Sequence, residues 1–369
     1  MSRSQALTII AASIIMIIIY GKIDYGHPDY IEWDLHKYLS MAKAFPSLDP
    51  KIPAPFAYRI LGPWIVALLP IQEETAFRVL TIVFSLLLVV IFSHFLIRSG
   101  ISPPAATFTM ICFICNRHFF GFPIWDYFQL NDIILLIGFI LIFYAVQSGK
   151  WALFGFTIFL TILAKETVLI AIPTFIIYLI ESGALRKYWK LYMLSILPAV
   201  VAFLLVRKLI NAPGIGLFES LILYVGKLKS PSITYGLIIN SFAPLSLLPF
   251  VYWRRTTEFF LRRKYILVYM LLVFVGTLFA NNNERLMAPA FIGFYWLVAR
   301  IVQDDLYPDK VILLITICLT FISGLNYRID IFRLPGELPF MIVPFVSTCL
   351  LTIIVLARKR RIIQPEKAG

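Results

Sequence analysis

Long apolar runs separated by short polar intervals repeat along the whole chain. The first is Ala6–Tyr20. It is followed by Ala76–Ile97, Ala105–Phe122, Ile133–Val146, Trp151–Leu163, Thr167–Ile180, Leu191–Val206, Gly236–Tyr252, Ile266–Ala280, Leu286–Val302, Val311–Leu325 and Leu338–Ala357, which with the first make twelve. A helix needs about 20 apolar residues to cross a hydrocarbon core of about 30 Å. The runs Ile133–Val146 and Trp151–Leu163 are short, so tilt or local thinning of the bilayer must accommodate them. The pattern predicts an all-α polytopic membrane protein of about 12 spans, forming a single transmembrane domain over residues 1–369, with no evident internal repeat. Arg3 precedes the first run and no small-residue cleavage site follows it, so it reads as an uncleaved first span.

One interval breaks this rhythm. Residues 21–75 carry Asp24, His27, Asp29, Glu32, Asp34, His36 and Arg59 among many aromatics. Within it, residues 60–69 are apolar but too short to span; with Pro63 and Pro70 as punctuation they predict a half-buried or surface-lying helix. That reading fixes which side every later loop faces. Arg98, Lys150, the Arg186–Lys190 cluster, RRTTEFFLRRK (254–264), Lys310 and the tail Arg358–Arg361 then all fall on one side. The positive-inside rule makes that side the cytoplasm and places both termini there, as in a bacterial inner membrane protein. Residues 207–235, with Lys208, Lys227 and Lys229 among apolar residues, predict an amphipathic outer loop resting in the interface.

Composition agrees. The chain is 60% apolar and 14% charged, against about 45–50% and about 25% for soluble domains, which excludes a soluble protein. The net charge of +13 is distributed over short loops. It therefore points to membrane lipids as the partner and not to nucleic acid. Cys112, Cys115, Cys318 and Cys349 lie inside apolar runs, which argues against a disulfide framework or a zinc site and for small buried hydrophobes.

The predicted outer ends of the spans hold solitary mixed charges, the pattern an outward-facing cavity leaves: Asn116–His118, Asp126, Asn131 and Asp132, Lys165 and Glu166, Asn281–Arg285, and Arg328, Asp330 and Arg333. Ionisable groups at membrane depth are expensive and mark function by default. In DLHKYLSMAKAF, Asp34, Tyr38 and Ala42 share one helix face, and Asp34 sits in the first turn, where the dipole favours a carboxylate. Such an Asp serves either as a general base for an acceptor hydroxyl or simply as a helix-starting residue on a solvated surface. Asp29 and Asp24 are rivals for the same role. Asp126 and Asp132 read as sugar ligands or as N-caps of the next span. Lys165 and Glu166 read as a self-satisfying pair, or Lys165 as a phosphate-binding point charge. Arg59 and Arg285 offer guanidinium forks for the same phosphate, with an interfacial anchor as the alternative for Arg285. Two histidines and several aspartates in one loop leave room for a divalent metal. No ligand spacing demands one, and no cofactor motif or nucleotide-binding loop is present.

A first span, an outer loop with D-x-x-x-Y-x-x-x-A at Asp34–Ala42, and then PFAYRILGPWI at 55–65 resemble the GT-C superfamily of integral-membrane glycosyltransferases. Pro55, Tyr58, Arg59 and Pro63 match the second half of that loop; Asp132 and Lys165 occupy places where the superfamily often carries Asp and Lys. The resemblance covers the first half of the chain, while the last 150 residues match in hydropathy alone. It implies juxtamembrane helices in the first outer loop and inverting transfer of a sugar from a polyprenyl-phosphate donor to a glycan, lipid or protein acceptor at the outer face. It also implies Asp34 as the base, with Tyr38, Arg59, Asp132 and Lys165 at matching places; the residues themselves add Asp29, Asp126, Glu166 and Arg285 as candidates around the substrates. Leu35 stands where several members have a second acidic residue, which puts a shared metal at Asp34 in doubt. The alternatives are a lipid or solute transporter, for which paired halves and midplane charges are the expected signs, and a scaffold without chemistry.

Overall fold

The computed structural model of the chain describes residues 3–20, 34–47, 51–125, 129–213, 219, 222, 231–277, 283–307, 309–325 and 338–363. Among these there is no strand, and 86% of the structure is helical, so the fold is all-α. In chain order the α-helices are α1 (Arg3–Tyr20), α2 (Asp34–Ala44), α3 (Leu61–Ala67), α4 (Glu73–Arg98), α5 (Pro103–Ile114), α6 (Phe122–Trp125), α7 (Leu130–Gln147), α8 (Trp151–Ala164), α9 (Ala171–Glu181) and α10 (Leu185–Ile210). There follow α11 (Pro231–Ile238), α12 (Leu248–Val251), α13 (Trp253–Leu261), α14 (Lys264–Gly276), α15 (Asn283–Leu286), α16 (Phe291–Ile301), α17 (Lys310–Leu325) and α18 (Leu338–Ile363).

Five of them, α1, α4, α7, α10 and α18, are long and apolar enough to cross a membrane. The remaining runs form shorter apolar helices and broken segments. Ala105–Phe122 does not continue as one helix. It stops at Ile114, and Asn116 accepts hydrogen bonds from the His118 and Phe119 amides to start a π-helical turn over Arg117–Gly121. Gly236–Tyr252 breaks at a 3₁₀ turn over Asn240–Phe242, followed by Pro244, which has no N–H to carry a helix on. The basic stretch 254–264, read as a loop, is largely the helix α13. Glu73 and Glu74, assigned to the first outer loop, open α4. Arg207 and Lys208, assigned to the amphipathic loop, close α10; most of that loop lies outside the described residues.

The helix stops are local. α4, α7 and α9 each end in Ser-Gly, at Ser99-Gly100, Ser148-Gly149 and Ser182-Gly183, with the glycine at φ 86, 66 and 64°. In each, the glycine amide and the one after it turn back to the last carbonyls, as Gly100 N to Ile97 O and Ile101 N to Leu96 O, both 3.1 Å. This is the Schellman arrangement, which needs the left-handed backbone glycine adopts without strain. All three stops lie at the basic end, where Glu181 receives the Lys264 and Tyr265 amides, Gln303 the Ser102 amide, and Asp309 the Arg358 guanidinium. A dry aromatic core joins α4, α5 and α16, with Phe92 4.7 Å from Phe291 and Phe95 5.2 Å from Trp296. Small residues let helices close up, as where a Cβ on Gly155 of α8 would stand 2.8 Å from the Ser195 carbonyl of α10. The opposite end of the bundle holds α2, α3 and α15 and, with them, most of the buried charge.

Candidate functional site

The short helix α3, expected to be half-buried or to lie at the surface, is half-buried and is the piece that aligns this end. The Gly62 amide donates to Asn131 Oδ1 at 3.0 Å, and Asn131 Nδ2 donates to the Arg59 carbonyl at 3.2 Å. A Cβ on Gly62 would overlap the Asn131 side-chain oxygen. α3 is thus docked by its first turn onto the first turn of α7, which sets Arg59 inside, 6% exposed.

Arg59 makes a two-point contact with Glu166, Nη2 to Oε1 at 2.6 Å and Nε to Oε2 at 3.2 Å. Tyr38, on the inner face of α2, hydrogen-bonds the same guanidinium. Burial pushes Glu166 up, but the charge and hydrogen bonds of Arg59 outweigh it and hold the carboxylate below its ordinary range. At Tyr38, by contrast, burial dominates, so its phenol is raised and stays neutral despite Arg59.

Lys165 and Glu166 do not pair with each other. Lys165 ends α8 in an extended conformation (φ −163°, ψ 131°), and consecutive side chains on extended backbone point opposite ways. Glu166 turns to Arg59, while Lys165 Nζ donates to Asp132 Oδ1 at 2.6 Å. Burial pushes the Lys165 ammonium down to about 8 against the pull of Asp132, and Arg285 and Arg59 add to the push. The N-cap reading of Asp132 fails as well: Gln129 holds the cap position, and Asp132, in the first turn of α7, faces the cations. Its second oxygen, Oδ2, lies 3.3 Å from Arg285 Nε. With its nitrogen turned towards Asp132, the Gln129 amide donates to Oδ2 and accepts from Arg285 Nη1, both at 2.9 Å.

Arg285, on the short helix α15, is also the link to Asp34, with Nη1 3.7 Å from Oδ2. Its plane approaches the Phe122 ring at 5.8 Å. Arg285 is therefore part of the cluster and not an anchor in the lipid interface. Asp34, at the start of α2, contacts Lys37 at 3.3 Å, and its side chain keeps 18% of its surface accessible, more than Asp132 at 10%. The carboxylate proposed from the sequence as the base thus sits at the rim of the network. Arg207 comes in from α10 with its guanidinium 4.5 Å from the Tyr58 ring.

All six described residues expected from the sequence to surround the substrates or act as base beside Tyr38 (Asp34, Arg59, Asp132, Lys165, Glu166 and Arg285) meet here with it, drawn from separated parts of the chain. Asp29 and Asp126 lie outside the described residues, as do Asp24, His27, Arg328, Asp330 and Arg333. The sequence reading passed over Lys37, Gln129 and Arg207. Lys37 and Gln129 stand three residues from Asp34 and Asp132, a spacing that puts helical neighbours on one face; nothing local signalled Arg207. Five cations, Lys37, Arg59, Lys165, Arg207 and Arg285, face three carboxylates, Asp34, Asp132 and Glu166. The described cluster therefore carries an excess of two positive charges. Such a site can hold an anion of the size of a phosphate while leaving a carboxylate at its edge. Among the described residues no group of three His, Cys, Asp or Glu side chains is placed to hold a metal ion.

A second buried polar group adjoins the first through α15. Arg117 Nε donates to His118 Nε2 at 3.0 Å, Arg117 also bonds Asn240, and Asn240 Nδ2 lies 3.5 Å from Glu284 Oε1. The singled-out triplet Asn116–His118 is thus built into helix junctions, with Asn116 Nδ2 donating to the Ser241 carbonyl at 2.9 Å. Comparisons with protein-family models, with curated proteins and with solved structures found no match.

Proposed function

We propose that this chain is a membrane glycosyltransferase that takes a sugar from a polyprenyl-phosphate donor and passes it, with inversion, to a hydroxyl acceptor. The acceptor is a glycan, lipid or protein, and the reaction takes place at the outer face of a bacterial inner membrane. The observation that carries the reading is the one-ended cluster: a positively charged, largely buried network with the Asp34 carboxylate at its rim, held there by Lys37 at 3.3 Å and Arg285 at 3.7 Å and not locked, as Glu166 is, in a two-point contact with an arginine. In this reading Lys165 and Arg285 receive the donor phosphate, because a guanidinium fork and a point charge together match its oxygens. Arg59, fixed by Glu166 and Tyr38, sets the field behind them. Asp34 accepts the proton of the acceptor hydroxyl as it attacks the anomeric carbon, and the carrier phosphate leaves against the cations. The twelve-passage arrangement with both termini in the cytoplasm and the GT-C-like architecture belong to the same proposal. They are supported by the clustering of basic side chains at the bundle end opposite Asp34.

The test is direct. The purified chain in lipid nanodiscs is incubated with a panel of polyprenyl-phosphate sugars, and sugar release and transfer are followed by mass spectrometry. Turnover by the wild type and its loss in D34N are expected. A D34N protein with full turnover refutes Asp34 as the base. Absence of turnover with every donor, together with movement of the intact lipid between leaflets, replaces the enzyme with a transporter.

A further inference from the structure

At the basic end of the bundle an apolar groove of about 460 Å³ opens between α11, α12, α13, α14 and α16 and runs inward as far as Met287, the residue after α15. Its floor is one face of α13: Trp253, Thr256, Thr257 and Phe260 recur at the i, i+3, i+4, i+7 spacing of a helix stripe. The Thr256 hydroxyl donates to the Pro249 carbonyl at 2.7 Å and ties α13 to the preceding helix. From this floor the groove rises past Met270, Phe294 and Leu297 to Met287. From Leu297 back to Met287 the chain passes through α16 to Phe291 and then the 3₁₀ turn Ala288–Ala290, roughly 17 Å at rises of about 1.5 and 2.0 Å per residue, which is about half of a 30 Å hydrocarbon core. That is the depth one acyl chain reaches from its own headgroup.

Phe250 and Trp253 line the groove yet are 68% and 60% exposed, so the opening is rimmed by aromatic rings of the kind that settle at headgroup level. Arg254 lies beside it, its guanidinium 5.8 Å from the Trp253 ring. Of the other arginines of this helix and its end, Arg255 contacts Asp305 at 3.3 Å and Arg262 contacts Glu258 at 2.8 Å, while Arg263 lies against the Phe259 and Trp296 rings, each at 4.9 Å. No carboxylate lies within 4.0 Å of Arg254 among the described residues. An apolar slot half a bilayer deep, an aromatic rim and a cation without a carboxylate define a ligand with one aliphatic chain and an anionic head at interface level.

We propose that this groove is a binding site for an anionic phospholipid of the leaflet at the basic end, with one acyl chain between α13 and α16 and the phosphate at Arg254. The site does not depend on the transfer reaction and stands whether or not that reading holds.

The full chain, purified and stripped of lipid, is titrated with phosphatidylglycerol, phosphatidylethanolamine or polyprenyl phosphate, and bound lipid is counted by native mass spectrometry. The wild type should hold one phosphatidylglycerol about fivefold more tightly than phosphatidylethanolamine, the contribution of about one surface cation. R254Q should bring the two lipids level, and T257W, which fills the floor, should remove the bound lipid of either kind. R262Q on the same helix should behave as wild type. All variants are checked for a monodisperse peak and an unchanged melting temperature, and the preference is read only on those that pass; R254Q changes an exposed side chain and is the variant on which the proposal stands. An R254Q protein that keeps the wild-type preference overturns the proposal. So does a groove whose filling by T257W displaces polyprenyl phosphate and leaves phosphatidylglycerol in place.

Discussion

Replacing Glu166 by methionine tests the buried half of the cluster at its least forgiving point. The bonds to be lost are 2.6 and 3.2 Å long, to a guanidinium 6% exposed. At an effective dielectric of about 20, opposite unit charges at that distance attract by about 6 kcal/mol, most of which offsets the desolvation of the two ions. What E166M exposes is the asymmetry of the loss. Arg59 cannot shed its proton, so it stays charged in a low-dielectric site, and removal of one partner from such a pair costs about 3–5 kcal/mol. R59M should cost less, roughly 1–3 kcal/mol, because the Glu166 side chain is 29% exposed and can turn to water. The double variant R59M/E166M should return close to wild type, since two apolar side chains replace a pair whose net worth is small. Equilibrium unfolding in mixed micelles, with the four proteins closing a double-mutant cycle, measures the coupling directly. The pH dependence supplies an internal check. Glu166 is held below its ordinary range, so its contribution is complete above the unfolded value of about 4.3 and is lost as the pH falls through the lower folded value. Wild type and E166M should therefore differ at pH 6 and converge in strong acid. An E166M loss under about 1 kcal/mol, or single losses that simply add in the double variant, would show that the pair does not hold this site together.

Other expectations concern the same end of the molecule. D34N should lower transfer by at least about 10²-fold, the usual contribution of a general base, while its partly exposed contacts with Lys37 and Arg285 make the stability change smaller than about 1 kcal/mol by thermal melting. Donor affinity should fall as the pH rises through about 8, where Lys165 gives up its proton, and K165R should flatten that profile in a donor-binding titration. Stability from this group should move the other way: a lysine whose folded value lies below its ordinary 10.4 or so loses a buried charge as the pH climbs from about 8, so the fold gains. G62A should push Asn131 out of place and cost about 1–3 kcal/mol, with a parallel loss of transfer because Arg59 rides on the same contact.

The sequence by itself determined the class of the fold and pointed to most of the charged residues that form the cluster. Apolar runs of span length dictate helices in a bilayer, and the Ser-Gly stops at 99–100, 148–149 and 182–183 are written locally because a left-handed residue is a one-residue requirement. Solitary charges inside such runs are expensive wherever they go, which is why Asp132, Lys165 and Arg285 stood out before their partners were known. Pairing is another matter. Lys165 and Glu166 are neighbours in the chain, and only the extended backbone at Lys165 shows that each turns to a different helix. Asn116 starts the π-helical turn through the local His118 and Phe119 amides, but its bond across the bundle to the Ser241 carbonyl belongs to the packed structure. Arg207 joins the site because α10 ends against Tyr58, 149 residues back in the chain. Hydrophobicity and backbone preference act over a few residues and are legible in one dimension; the choice of partner for a buried charge depends on which helices pack together, and that is a property of the assembled bundle alone.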